Sequence, residues 1–283
     1  MIIQMPSLGN HGRLGNQIFQ FFFLKILEEK LGCEIRYPSW SGTHMFGIAP
    51  SAPIELVKTT LNLDDSDNSG KRNTGPDEDF DIICREISVA DRAIVDITGY
   101  FQYHTSYLRP HAGIFSRSFS LAPALADQLA TALAVINPEA RQIIGIHIRR
   151  GDFLTLNGSR AFWAHSFDSV FQAIDDLICS SLYDILIYLA SDDVDACAAE
   201  FDRRGMPFAT STNLFRAADD YGKLLCDFWM LTQADYLLTS NSSFSVAAAM
   251  RNEKARIFLR PSPKEDRMLP FDPWNTHVLL RKA

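Results

Sequence analysis

A histidine, two arginines and an aspartate arrive together in IGIHIRRGDF, residues 144–153, at the end of a largely apolar run. The forked donors of Arg149 and Arg150 suit a phosphate bidentately. Two further polar clusters follow apolar runs downstream. ILIYLA ends in Ser191, Asp192 and Asp193, whose carboxylates can accept from a ribose hydroxyl or a base N–H. YLLT ends in SNSSFS, residues 240–245, and runs into the short helix pattern AAAM. Asn241, Ser242 and Ser243 stand where free N–H groups and a helix dipole favour an anion. Together these residues describe a nucleoside diphosphate held by arginines and a helix N-terminus, with carboxylates reading the nucleoside.

Singly, each cluster has a plainer reading. An Arg-Arg pair is usually a solvated surface or a structural ion pair. Ser-Asp-Asp and Asn-Ser-Ser are usually helix caps. The Arg-Gly-Asp tripeptide follows a buried strand, which argues against adhesion. Position decides between these readings, because each cluster follows a strand at the same end.

The elements that must position the clusters can be read from periodicity. Residues 1–5, 33–38, 93–98, 143–148, 184–190, 236–239 and 256–259 read as strands. Residues 17–31, 123–136, 167–179, 194–203, 224–233 and 243–250 read as helices. Strands alternating with helices predict an α/β fold with parallel sheets, and their density predicts two sheets. The boundary is expected near residue 137, where Asn-Pro breaks a helix, giving domains 1–137 and 138–283. A parallel sheet binds its ligand at the carboxyl ends of its strands. Residues 64–79 are polar, charged and free of large apolar side chains, and read as a flexible surface loop.

Composition limits the partners. The chain has 283 residues and a formal net charge of -7, which argues against generic nucleic-acid binding. Its five cysteines are widely spaced, with no CxxC pair, which argues against a disulfide framework and a zinc site and for a reducing compartment. The start lacks a signal-peptide pattern. The longest apolar stretch, IFQFFFLKIL, is too short to span a bilayer. The expected location is cytoplasmic, with any membrane contact at the face only. Phe19, Phe21, Phe22 and Phe23 lie at helical spacing and are expected in the core. His104, His111 and His165 have no ligand-like spacing.

A glycine-rich loop, GNHGRLGNQIFQ (residues 9–20), follows the first strand and opens a helix. It is neither a P-loop nor a GxGxxG fingerprint. With GYFQ (99–102), HIRRGDF (147–153), ASDD (190–193) and SNSSFS (240–245), its GRLGNQIFQ resembles the successive motifs of the bacterial α-1,2-fucosyltransferases. HxRRGD is shared with the α-1,6- and protein O-fucosyltransferases. The resemblance implies a GT-B-like fold, two Rossmann-like domains facing a cleft, the N-terminal one on the acceptor side and the C-terminal one holding the donor. It implies inverting transfer from GDP-β-L-fucose to a glycan hydroxyl, typically O2 of a galactosyl unit, with no metal or other cofactor.

By the same resemblance, Arg149 grips the β-phosphate and is the catalytic group to expect, with Asn16 beside it. His147 and one of Asp192 or Asp193 lie near the guanosine. Asn241, Ser242, Ser243 and Phe244 border the diphosphate. Arg13, Gly15, Asn16 and Gln17 close over the donor sugar. Arg150 and Asp152 brace the loop and each other. Asp192, Asp193 and Asp195 also admit a DxD-type metal reading, which the arginines oppose. Val246 and Ala247 replace a usual tryptophan pair, and Phe153 replaces a frequent tyrosine. No motif assigns the base: Asp152, Asp96, His44 and Asn16 all remain open. Two rivals remain: a transferase of another nucleotide sugar, and an inactive nucleotide-sugar- or glycan-binding relative. The partners expected are GDP-fucose and a glycan acceptor, which would touch a membrane only through a lipid-linked acceptor.

Overall fold

The computed structural model describes residues 1–55, 85, 94–155, 160–181, 184–215 and 219–282. The polar loop read at 64–79 lies outside these residues. The chain forms two compact units: Met1–Ala122 with Trp274–His277, and Pro123–Pro273 with Val278–Ala283.

The first unit is built on a parallel three-stranded sheet, β1 (Ile2–Gln4), β2 (Glu34–Arg36) and β3 (Ile94–Asp96), in the order β2-β1-β3. Ile3 sits between Ile35 and Val95, and all three side chains are buried. Helix α1 (Leu14–Leu31) is apolar on almost every side through Leu27, so it must be enclosed, and it is. Phe19, Phe21, Phe22 and Phe23 are core, as expected. Phe23 stacks on Phe101 at 4.2 Å between centroids, and Phe22 meets Phe115 edge-on at 4.9 Å. Gly32 takes the left-handed conformation that ends the helix, at φ 58°. Short helices α2 (Gly42–Met45), α3 (Thr105–Leu108) and α4 (Ala112–Ser118) complete the unit, with a 3-10 turn between the last two. The C-terminal piece is fastened by Thr105, whose N–H and hydroxyl both donate to the Thr276 carbonyl.

The second unit holds a five-stranded sheet in the order β5-β4-β6-β7-β8. Its strands are β4 (Gln142–Ile148), β5 (Ile185–Ser191), β6 (Tyr236–Leu238), β7 (Ile257–Pro261) and β8 (Met268–Pro270). The first four are parallel, and β8 is antiparallel to β7. The helices are α5 (Pro123–Ile136), α6 (Gly151–Thr155), α7 (Phe167–Ser180), α8 (Val194–Arg203), α9 (Ser211–Leu214), α10 (Asp220–Gln233) and α11 (Ser243–Arg251). α7 turns Val170, Phe171, Ile174 and Leu177 into the core beside Ile144, Ile146, Ile187 and Leu189.

The division between units falls after Ala122, not near residue 137. Asn137 does end α5, but α5 buries Leu129 and packs on α9 and α10. A helix break is therefore not a unit boundary here.

Candidate active site

The carboxyl ends of β5, β4 and β6 lie side by side, because the three strands are parallel neighbours. The three polar clusters of the sequence therefore converge on one edge. Three hydrogen bonds stitch that edge. His147 Nδ1 lies 2.7 Å from Ser240 Oγ, joining the end of β4 to the loop after β6. Ser191 Oγ donates to the Ile148 carbonyl at 2.8 Å and accepts from the Asp193 N–H at 3.0 Å, joining β4 to β5.

Arg149 is the best-braced cation at this edge. Its Nη2 lies 2.8 Å from Asp152 Oδ2, and its Nε lies 3.2 Å from Asp192 Oδ2. Only 15% of its side chain is exposed. Two of the five guanidinium N–H groups are spent on orientation, which leaves donors for an oxyanion. The other oxygen of Asp192 accepts the N–H of Arg150 at 2.8 Å and of Gly151 at 3.3 Å. A Cβ at Gly151 would stand 2.6 Å from Asp192 Oδ2, so the glycine of the motif makes room for this carboxylate.

These contacts make Asp192 a brace for Arg149 and the following turn. They correct one expectation. Asp152 braces Arg149 rather than Arg150, whose guanidinium carbon lies over the Phe167 ring at 4.5 Å. Asp193 stands at the N-cap position of α8 with no side-chain cap bond.

SNSSFS divides in the same way. Ser242 caps α11 and accepts from the Phe244 N–H at 3.3 Å. Ser243 begins the helix, and Phe244 packs against His147 and Phe228. Asn241, by contrast, is fully buried, and its amide is spent on protein. It donates to the Ala161 carbonyl at 2.7 Å and the Leu280 carbonyl at 2.9 Å. It accepts from the Leu280 N–H at 2.8 Å and from Arg260 Nη2 at 3.0 Å. An expected diphosphate neighbour is thus a clamp. Arg260 itself is buried, and burial lowers its pKa to about 10. Nothing in the sequence marks it.

In the first unit, the glycine-rich loop joins β1 to α1, and Arg13 is the exposed N-cap residue. Gln17 is buried, and its Nε2 donates to the Gly9 carbonyl at 3.1 Å and the Gly12 carbonyl at 2.9 Å. Gln20 donates to the His11 carbonyl at 2.8 Å. These two amides shape the loop, so Gln17 positions it from behind rather than facing a sugar. Gly12 has φ 81°, and a Cβ there would meet Asn16 Nδ2 at 2.2 Å. Gly15 is buried inside the first turn of α1. Asn16 Oδ1 accepts from Gln102 Nε2 at 2.7 Å, which gives GYFQ its structural place. Nothing local in the sequence assigns Gln102 this task. Of the open base positions, Asp96 accepts from Gln4 Nε2 at 2.6 Å, and His44 is exposed.

Burial sets the protonation of the second unit. Desolvation, helped by the charge of Arg149, pushes the His147 pKa down to about 3. Desolvation, helped by Arg150, pushes His165 down to about 4. Both are neutral imidazoles at pH 7 and regain an ordinary pKa near 6.5 on unfolding. Their contribution to stability is complete above pH 6.5 and lost as pH falls toward 4 and 3. Asp227, raised to about 7 by burial, acts in the opposite sense and favours the folded state at low pH. Between pH 4 and 6.5, two histidine protons on the unfolded state oppose one aspartate proton on the folded state, so stability falls on acidification. Urea midpoints at pH 7 and pH 5 check this. His165→Gln should lose less stability over that interval than wild type, and an equal loss would show that His165 is not buried neutral.

Residues 7–269 match the family model described as Glycosyl transferase family 11. The chain belongs to that family. No curated protein matches it. Among solved structures it is similar to a mutant of Arabidopsis thaliana FUT1 in complex with GDP, at 13% identity and TM-score 0.60, covering 99% of this chain and 73% of that one. It is also similar to fucosyltransferase NodZ from Bradyrhizobium, at 13% identity and TM-score 0.56, covering 96% and 98%. POFUT1 in complex with GDP is 11% identical at TM-score 0.56, covering 90% and 96%. At such identities these likenesses show the fold, which is GT-B-like. In this family 11 chain, Val246 and Ala247 are both fully buried on α11, which packs against α10.

Proposed function

We propose that this family 11 protein is an inverting fucosyltransferase. It moves L-fucose from GDP-β-L-fucose to a glycan hydroxyl, O2 of a galactosyl residue in a surface polysaccharide, and works in the cytoplasm without a metal. The observation that carries the reading is Arg149, oriented by Asp152 and Asp192 where three strand ends meet.

The chemistry fits that group. The acceptor oxygen attacks the anomeric carbon as the bond from that carbon to the β-phosphate oxygen breaks. The electron pair leaves with GDP, and the acceptor proton passes to a base. A braced cation aimed at the leaving phosphate stabilises the charge that builds there, more in the transition state than in the ground state. Ser242, Ser243 and the first N–H groups of α11 border the diphosphate, and Phe244 walls it. Asp193 is left to read the nucleoside, with neutral His147 beneath. Arg13, Gly15 and Asn16 present the N-terminal loop to the sugar. A DxD-type metal site would need Asp192, whose oxygens are already engaged by Arg149 and two backbone N–H groups. Among the described residues no single helix is long and apolar enough to cross a membrane, so a lipid-linked acceptor would bring the enzyme to the membrane face.

The test is incubation with GDP-fucose, a β-galactoside and EDTA, with the product linkage read by NMR. The expected product is an α-1,2-linked fucoside. Binding of GDP-fucose without turnover on any galactoside would favour an inactive binding relative instead, and transfer from a different nucleotide sugar would replace the donor.

A further inference from the structure

The next strand along the same edge, β7, ends in a cavity of its own. Ser262–Arg267, the turn into β8, forms one wall of a hollow of about 210 Å³. That is room for about seven waters at roughly 30 Å³ each. Its floor is aromatic: Trp163 is 7% exposed and His165 is 8% exposed. Trp163 Nε1 and His165 Nδ1 are both buried and lack a hydrogen-bond partner among the described residues. Neither nitrogen presents surface to the hollow, so the floor is made of the ring surfaces of the two side chains.

The rim is cationic. Lys264 and Lys282 are exposed, and neither forms an ion pair among the described residues. The Lys282 ammonium lies 4.7 Å from the centre of the Trp163 ring. Arg267 is already neutralised by Glu265 at 2.5 Å. Asp266 also lines the hollow and offers acceptors for hydroxyl groups. The floor thus supplies the ring surfaces of an indole and a neutral imidazole. The rim supplies two ammonium groups against one carboxylate outside the Arg267–Glu265 pair, that of Asp266. A ligand that matches this set carries both an oxyanion and hydroxyls. Electrostatically, His165 is coupled to both Arg150 and His147, so the cavity adjoins the diphosphate edge while using none of its residues.

We infer that the β7 cavity is an acceptor subsite for an acidic sugar unit, one bearing a carboxylate or a phosphate. The inference rests on the fucosyltransferase reading. It restricts the acceptor to an anionic glycan.

The test uses the whole protein saturated with GDP and follows added ligands by saturation-transfer NMR. The probes are glucuronic acid, glucose 6-phosphate, glucose and inorganic phosphate. Both acidic sugars, or either alone, should bind the GDP-loaded protein, and which one does so names the oxyanion; glucose should not bind. The double substitution Lys264→Ala and Lys282→Ala should weaken that binding at least tenfold, with the affinity for GDP unchanged. Trp163→Phe, which keeps one aromatic ring and removes the pyrrole half of the indole, should weaken it as well. The unchanged GDP affinity shows that the variants are folded. The inference is overturned if no acidic sugar binds while GDP does, if the acidic sugar displaces GDP, or if inorganic phosphate binds as tightly as glucose 6-phosphate. Failure of GDP to bind wild type would instead remove the donor reading beneath it.

Discussion

Arg149→Ala should weaken GDP binding about 30-fold to 1,000-fold, as read by calorimetric titration. The substitution removes the guanidinium that Asp152 and Asp192 hold at the strand ends. Loss of one charged phosphate contact costs about 2 to 4 kcal/mol, so a micromolar ligand becomes a ligand of roughly 0.03 to 1 mM. The two carboxylates add to the loss, because without their cation they stand uncompensated beside an incoming diphosphate. Arg149→Lys should recover only part of the affinity, since a single ammonium cannot face both carboxylates and a phosphate as a planar fork does. Arg150→Ala is the matched control. Its side chain lies over Phe167, and it should keep GDP binding within a few fold. If Arg150→Ala removes binding and Arg149→Ala does not, the roles of the two arginines are reversed.

Asn241→Ala should be the most destabilising single substitution at this edge. One buried amide makes four hydrogen bonds, to Ala161, twice to Leu280, and to the buried Arg260. Removing it orphans two carbonyls, one N–H and part of a buried cation. At about 1 to 3 kcal/mol for each buried group left unmade, and with partial relaxation, the loss is about 3 to 5 kcal/mol. Because the chain has two units, the measurement should be local. Hydrogen exchange of the Leu280 amide, which donates to Asn241 Oδ1 at 2.8 Å, should rise by two orders of magnitude or more. An unchanged rate would mean that the C-terminal segment is anchored elsewhere. GDP binding would weaken through this loosening and not through a lost ligand contact, so Asn241→Asp, which keeps the acceptor facing Arg260, should retain more of it.

Much of the arrangement was legible because it rests on long apolar runs. The strands ending at His147-Ile148, Ser191 and Leu238 could be read from periodicity, and the parallel rule then placed their polar tails on one edge. The phenylalanines of α1 were legible as core for the same reason. Residue type could not tell a ligand-facing side chain from an inward-facing one. Asn241 and Gln17 carry the amide groups that a diphosphate or a sugar would want, yet both spend them on backbone carbonyls. Asp192 reads by type as an acceptor for a nucleoside, and its bracing of Arg149 and two backbone N–H groups has no local signature. Gln102 and Ser240 act across 86 and 93 residues of sequence, a range over which no local pattern carries information. The four-residue helices Gly42–Met45, Thr105–Leu108 and Ser211–Leu214 are too short to show a period. The antiparallel β8 follows a turn of mixed charges that reads equally well as loop.

The most direct test of the central claim is calorimetric titration of wild-type protein with GDP, with EDTA present and UDP as control. Binding of GDP without metal, with UDP silent, is the predicted result and supports the guanosine diphosphate donor reading. No heat with GDP would contradict the donor reading outright, and equal binding of UDP would mean that the edge grips a diphosphate without selecting guanine.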